Sequence, residues 1–128
     1  MRINRLDHLV LTVADLDATL AFYSGVLGMG VVTFGEGRTA LTFGASKINL
    51  HVAGHEIDPK AARPTPGSAD VCLVVDDDLD TVLDELEAAG VPVEEGGTVD
   101  RTGAMGPIRS VYVRDPDANL VELSAYVR

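Results

Sequence analysis

Short β-prone runs and amphipathic helical stripes alternate along this chain, and the alternation occurs twice in the same order. Leu6 to Val13 is an apolar run rich in β-formers, followed by Ala14-Asp15-Leu16-Asp17, where either aspartate suits the cap of a helix. Leu16, Leu20, Tyr23 and Leu27 then recur at helical spacing, and Gly28 and Gly30 supply the stop. Strand-like pieces follow at Val31–Phe34, Thr39–Phe43 and Lys47–Val52, separated by glycine-bearing turns. The predicted order is β, α, β, β, β.

Between Asp58 and Gly67 the chain carries Pro59, Pro64 and Pro66 with no apolar period, which reads as a linker. The pattern then restarts. Asp70 to Val75 is a strand, and Leu79, Val82, Leu83 and Leu86 form a helical stripe closed by Gly90. Pro92–Glu94, Ser110–Val113 and Asn119–Tyr126 supply three more strands, with Arg114 to Ala118 as a turn. The extra segment from about Gly96 to Pro107 is expected to be a loop over one face. Module one therefore spans about 3–56, the linker about 57–66 and module two about 67–127. Superposed by pattern, Leu6–Leu11 falls on Ser68–Leu73 and Ile48–Val52 on Asn119–Leu123. The fold class expected is α+β, two βαβββ modules in a curved mixed sheet around a cleft.

Composition narrows the partners rather than the fold. The chain has 128 residues, 46% hydrophobic and 23% charged, which suits one globular domain. A net charge of −10 with no basic patch argues against nucleic acid and against anionic membrane surfaces. The first residues lack a signal core and no apolar run is long enough to span a bilayer, so the cytoplasm is the expected compartment. The single cysteine, Cys72, lies in the run Val71–Val75 and is expected to be a buried, unreactive thiol.

Candidate chemistry comes from ionisable residues inside β-prone runs. His8, His51, Asp70 and Glu122 each interrupt apolar sequence, where a buried unpaired charge costs several kcal/mol. Singly, each reads as a hydrogen-bonded rim or core residue; together, at repeated positions, they suit a divalent ion, two neutral imidazoles and two carboxylates balancing its charge. Glu122 and Asp70 are also the candidates to shuttle a proton. Arg101 and Arg109, flanking a glycine-bearing stretch, suit an anionic substrate group. Asp76-Asp77-Asp78 precedes the second helix and reads as capping rather than calcium binding. His55, Glu56, Lys60 and Arg63 read as solvated rim residues.

Three stretches give the chain a family resemblance: Leu6 to Asp17, Ala21 to Met29, and Val113 to Leu123 with its Asp115-Pro116-Asp117-Ala118-Asn119 turn. Over nearly its whole length the chain resembles the vicinal-oxygen-chelate superfamily of glyoxalase, fosfomycin-resistance, bleomycin-resistance and extradiol-dioxygenase proteins. The run Arg101–Ile108 with Pro66–Asp70 resembles a narrower group of small glyoxalase-domain proteins. The resemblance implies a homodimer and metal ligands from the first and last strands of each module, mapping onto His8, His51, Asp70 and Glu122. It implies a glyoxalase-like lyase or isomerase acting on a small oxygenated substrate, while mixed imidazole and carboxylate ligands accept zinc, nickel, iron, manganese or cobalt without choosing among them. Asp70 stands where extradiol dioxygenases place a histidine, which sets that activity lower. Metal-independent sequestration of a drug or metabolite is the alternative, weakened by the absence of Trp and by only three Tyr and three Phe. A regulatory domain with a vestigial cleft is a third reading.

Overall fold

The computed structural model describes residues 1–128, which divide into two compact units, Met1–Ser68 and Ala69–Arg128. In the first, strand β1 (His8–Val13) leads into helix α1 (Leu16–Leu20), which continues as a π-helical turn over Ala21–Val26. Strands β2 (Gly30–Phe34), β3 (Arg38–Phe43) and β4 (Ser46–Val52) complete the unit. Asp15 starts the helix, its carboxylate accepting the Ala18 amide at 3.0 Å, as the sequence anticipates. The sheet runs β1-β4-β3-β2, with β1 and β4 parallel and the other pairs antiparallel.

Strand alternation gives that sheet two unlike faces. Leu11, Val13, Leu41, Ile48 and Leu50 fall on one and are buried, as are Phe22 and Tyr23 of the helical segment. Each large side chain taken out of water stabilises the fold by roughly 1.5–3 kcal/mol. The wider π-helical spacing makes Phe22 and Tyr23 the buried pair, where the expected stripe has Leu20 and Leu27, which are only half-buried. The opposite face carries His8, Val10 and Thr12 on β1 beside Lys47, Asn49 and His51 on β4.

The second unit repeats the order with β5 (Asp70–Val74), α2 (Leu79–Ala88), β6 (Glu94–Gly103), β7 (Gly106–Arg114) and β8 (Leu120–Tyr126). Its sheet runs β5-β8-β7-β6, again with only the first pair parallel. The Asp78 carboxylate caps α2 by accepting the Asp80 amide at 3.0 Å, the capping role expected of this acidic run. Val111, Val113, Val121 and Leu123 form the buried face, with Leu79, Val82 and Leu86 of α2 buried as well. No helix is long and apolar enough to cross a membrane.

One sequence expectation fails here. The segment from Gly96 to Pro107 is not a loop: it forms most of a β6–β7 hairpin. Few large apolar residues mark it, so its strand period is invisible. A register shift between Glu94 and Val99 is absorbed where Gly96 and Gly97 take φ of 74° and 126°. Near the tip, a Cβ on Gly103 would sit 2.8 Å from the Tyr126 hydroxyl and 2.9 Å from Ile108 Cγ2. Gly103→Ala is therefore expected to cost about 1–2 kcal/mol, read as a lowered thermal midpoint.

Candidate metal and substrate site

The polar face of the first unit holds both candidate histidines, but not side by side. The parallel register sets His8 against Lys47, Val10 against Asn49 and Thr12 against His51. His8 and His51 are thus four residues apart along neighbouring strands, about 13 Å at 3.3 Å per residue, beyond what two imidazoles on one ion span. His8 is partly exposed, and its Nδ1–H donates to the Asp7 carboxylate at 2.8 Å, which fixes the tautomer and leaves Nε2 a free lone pair. The same bond holds the Asp7 carboxyl below its ordinary range. His51 is buried, and its Nε2 has no hydrogen-bond partner.

The second unit corrects the pairing of repeats. Asp70 sits against Leu120, Cys72 against Glu122 and Val74 against Ser124. With His8 placed on Asp70, the register matches Asn49 to Glu122 and His51 to Ser124. The sequence superposition, which set His51 on Glu122, is displaced by two residues. A slip of two keeps every side chain on its own face, so apolar alternation does not reveal it. Asn49 is the residue that sequence reasoning missed. It is 5% exposed, and its Oδ1 has no donor, an uncommon condition for a buried acceptor.

Around Glu122 the sheet face is richly bonded. Ser110 Oγ donates to Glu122 Oε2 at 2.5 Å, Ser124 Oγ lies 3.3 Å from the same oxygen, and the two serine hydroxyls are 2.7 Å apart. Cys72 Sγ is 3.2 Å from Ser124 Oγ. Cys72 is exposed rather than buried, because alternation turns it away from the face where Val121 and Leu123 lie. Partial desolvation nevertheless pushes its thiol up, with the Glu122 charge adding to the shift against the Ser124 hydrogen bond. A raised pKa leaves less thiolate at neutral pH. Alkylation of Cys72 by iodoacetamide is therefore expected to be slower at pH 8 than that of an unhindered thiol, and still accelerating above 9.0.

The register separates the two candidate arginines. Arg101 pairs with Ile108, on the Glu122 side of the sheet. Its Nε donates to the Tyr112 hydroxyl at 3.0 Å and its guanidinium lies 5.3 Å from that ring's centroid. Cys72, Arg101, Gly103, Glu122 and Tyr126 line a cavity of about 430 Å³. Arg109 alternates to the other side, facing Asp100 at 3.7 Å, and does not line it. Asp70 is exposed at the start of β5, positioned by the Asn119 side-chain carbonyl accepting the Ala69 amide at 2.8 Å. Within neither unit do three or more His, Cys, Asp or Glu side chains form a group able to hold a metal.

Comparison with known proteins places the chain among relatives. The family model described as the Glyoxalase/Bleomycin resistance protein/Dioxygenase superfamily matches residues 5–123. The chain is 54% identical over 127 residues to virulence protein STM3117 of Salmonella typhimurium, covering 99% of this chain and 88% of that protein. The crystal structure of that protein superposes with a TM-score of 0.97, covering 99% of this chain and 100% of the other. Glyoxalase domain-containing protein RDO1 of Mycosarcoma maydis is also 54% identical, over 98% of this chain and 70% of its own length. Lactoylglutathione lyase from Agrobacterium tumefaciens is 28% identical with a TM-score of 0.73, covering 98% of this chain and 96% of that one.

Proposed function

Because this chain belongs to the Glyoxalase/Bleomycin resistance protein/Dioxygenase superfamily, we propose that it is a divalent-metal-dependent enzyme of glyoxalase-like lyase or isomerase type acting on a small oxygenated substrate. The observation that carries the reading is the repeated register: His8 matches Asp70, and Asn49, with its unpartnered buried Oδ1, matches Glu122. Each module thus offers one pair of candidate ligands, His8 with Asn49 and Asp70 with Glu122, Asn49 taking the place first given to His51. Imidazole nitrogen, amide oxygen and carboxylate oxygens suit zinc, nickel, iron, manganese or cobalt. When bound, the ion supplies Lewis acidity toward adjacent substrate oxygens.

The chain's own groups do the rest. Asp7 holds His8 with Nε2 outward. Ser110 and Ser124 hold Glu122 Oε2, which leaves Oε1 to take and return a substrate proton, with Asp70 as the second candidate for that role. Arg101, braced on Tyr112, anchors an anionic group of the substrate. Arg109, on the other side of its sheet, has no such part. The active form is a homodimer, for which exposed Val31 and Val32 on edge strand β2 provide apolar surface.

Chelator-stripped protein resupplied with each ion in turn, assayed on 2-oxoaldehyde adducts, epoxides and catechols, tests the proposal. Turnover that disappears with the chelator and returns with the ion is expected. Tight binding of the same compounds by stripped protein, with no turnover under any ion, would replace it with metal-independent sequestration.

A further inference from the structure

His51, displaced from the repeated quartet by the register, has its own surroundings. It is 4% exposed, and with Val10, Thr12, Pro59, Lys60 and Pro64 it lines a cavity of about 410 Å³ in the first unit. Thr12 is its neighbour across the β1–β4 pair. Pro59 to Pro64, read from sequence as linker, forms the cavity's other wall. A buried ring nitrogen without a partner costs free energy until something bonds to it.

The polar side chains lining this space are an imidazole, a hydroxyl and an ammonium group; no carboxylate is among them. Lys60 stays charged, its ammonium held by Asp58 at 2.8 Å, an ion pair that also raises the lysine's pKa. Glu56, close enough to feel His51, has its carboxylate taken up by backbone amides. Asp58 takes one of the three ammonium N–H donors of Lys60, and those that remain, with the unpartnered His51 Nε2, suit an anionic group even in a chain with a net charge of −10. Val10 and the two prolines offer apolar surface to a short carbon skeleton.

We propose that this cavity binds the carboxylate group of a small organic acid, which accepts hydrogen bonds from His51 Nε2–H and the Lys60 ammonium. The site needs no metal ion, so it stands apart from the proposed metal chemistry. It gives Lys60, which reads as a rim residue from sequence, a ligand.

Full-length protein labelled with 15N-histidine, as purified and after chelator treatment, provides the test. Lactate, pyruvate and succinate are titrated in turn while the His51 Nε2 resonance, assigned by its loss in His51→Gln, is followed. At least one acid is expected to shift it saturably in both preparations. Calorimetry with that acid is expected to show affinity about ten- to a hundredfold weaker in His51→Gln, and more modestly weaker in Lys60→Met. Thr12→Val, which preserves shape, keeps the test open if His51→Gln misfolds: it too is expected to weaken binding. An Nε2 resonance that ignores all three acids, or moves only with added zinc, overturns the proposal, as does affinity unchanged by these substitutions.

Discussion

Glu122→Ala is expected to weaken divalent-ion binding by at least about a hundredfold, since even residues that only orient a ligand are worth 10–100-fold. The fold should tolerate the change. Ser110 and Ser124, which contact the carboxylate, already lie 2.7 Å from each other and satisfy one another when it is removed. Stability is therefore expected to move by no more than about 1 kcal/mol. Asp7→Asn, which weakens the grip on His8 Nδ1, is expected to cost about tenfold in ion affinity. Titration with a metallochromic indicator beside thermal denaturation reads both quantities, and loss of ion binding only through unfolding would contradict the assignment.

The largest effect on stability is expected at Asn119, 1% exposed in the turn before β8. Its side-chain carbonyl accepts the Ala69 amide at 2.8 Å, its Nδ2 donates to Asp115 Oδ2 at 2.8 Å, and its own amide donates to Asp115 Oδ1 at 2.9 Å. Ala69 precedes Asp70, and its carbonyl in turn accepts the Leu120 amide at 3.1 Å. One side chain thus ties the start of β5 to the start of β8. Asn119→Ala strands the Ala69 amide and takes a donor from the buried Asp115 carboxylate, each worth about 1–3 kcal/mol. A loss of about 3 kcal/mol, roughly 10 °C in thermal midpoint, is expected. Asn119→Asp should be worse, because it sets a second carboxylate against Asp115. A midpoint unchanged in Asn119→Ala would show that the turn carries no such weight.

The repeat, both helices and their aspartate caps were legible in the sequence, because apolar period and capping chemistry are local signals. Register was not. Moving His51 onto Glu122 or onto Ser124 keeps the same face toward the core, and only the hydrogen-bonded pairing of β1 with β4 and β5 with β8 decides between them. The same locality misplaced Cys72: Val71 to Val75 reads as buried on both faces, yet only one face of this sheet carries the buried valines and leucine of β7 and β8. The β6–β7 hairpin was hidden by small and polar residues and by a shift between Glu94 and Val99 that breaks any period of two. Asn49 carried no sequence signal, since a neutral amide in a strand resembles any solvent-facing residue until its burial is known.

Elemental analysis of protein purified without chelator or metal-binding tag, then equilibrated with each candidate ion, addresses the metal assignment most directly. About one divalent ion per chain is expected, lost in His8→Ala and in Glu122→Ala but kept in His51→Gln. A wild-type chain that takes up none of the five metals, or variants that hold as much as wild type, would contradict it.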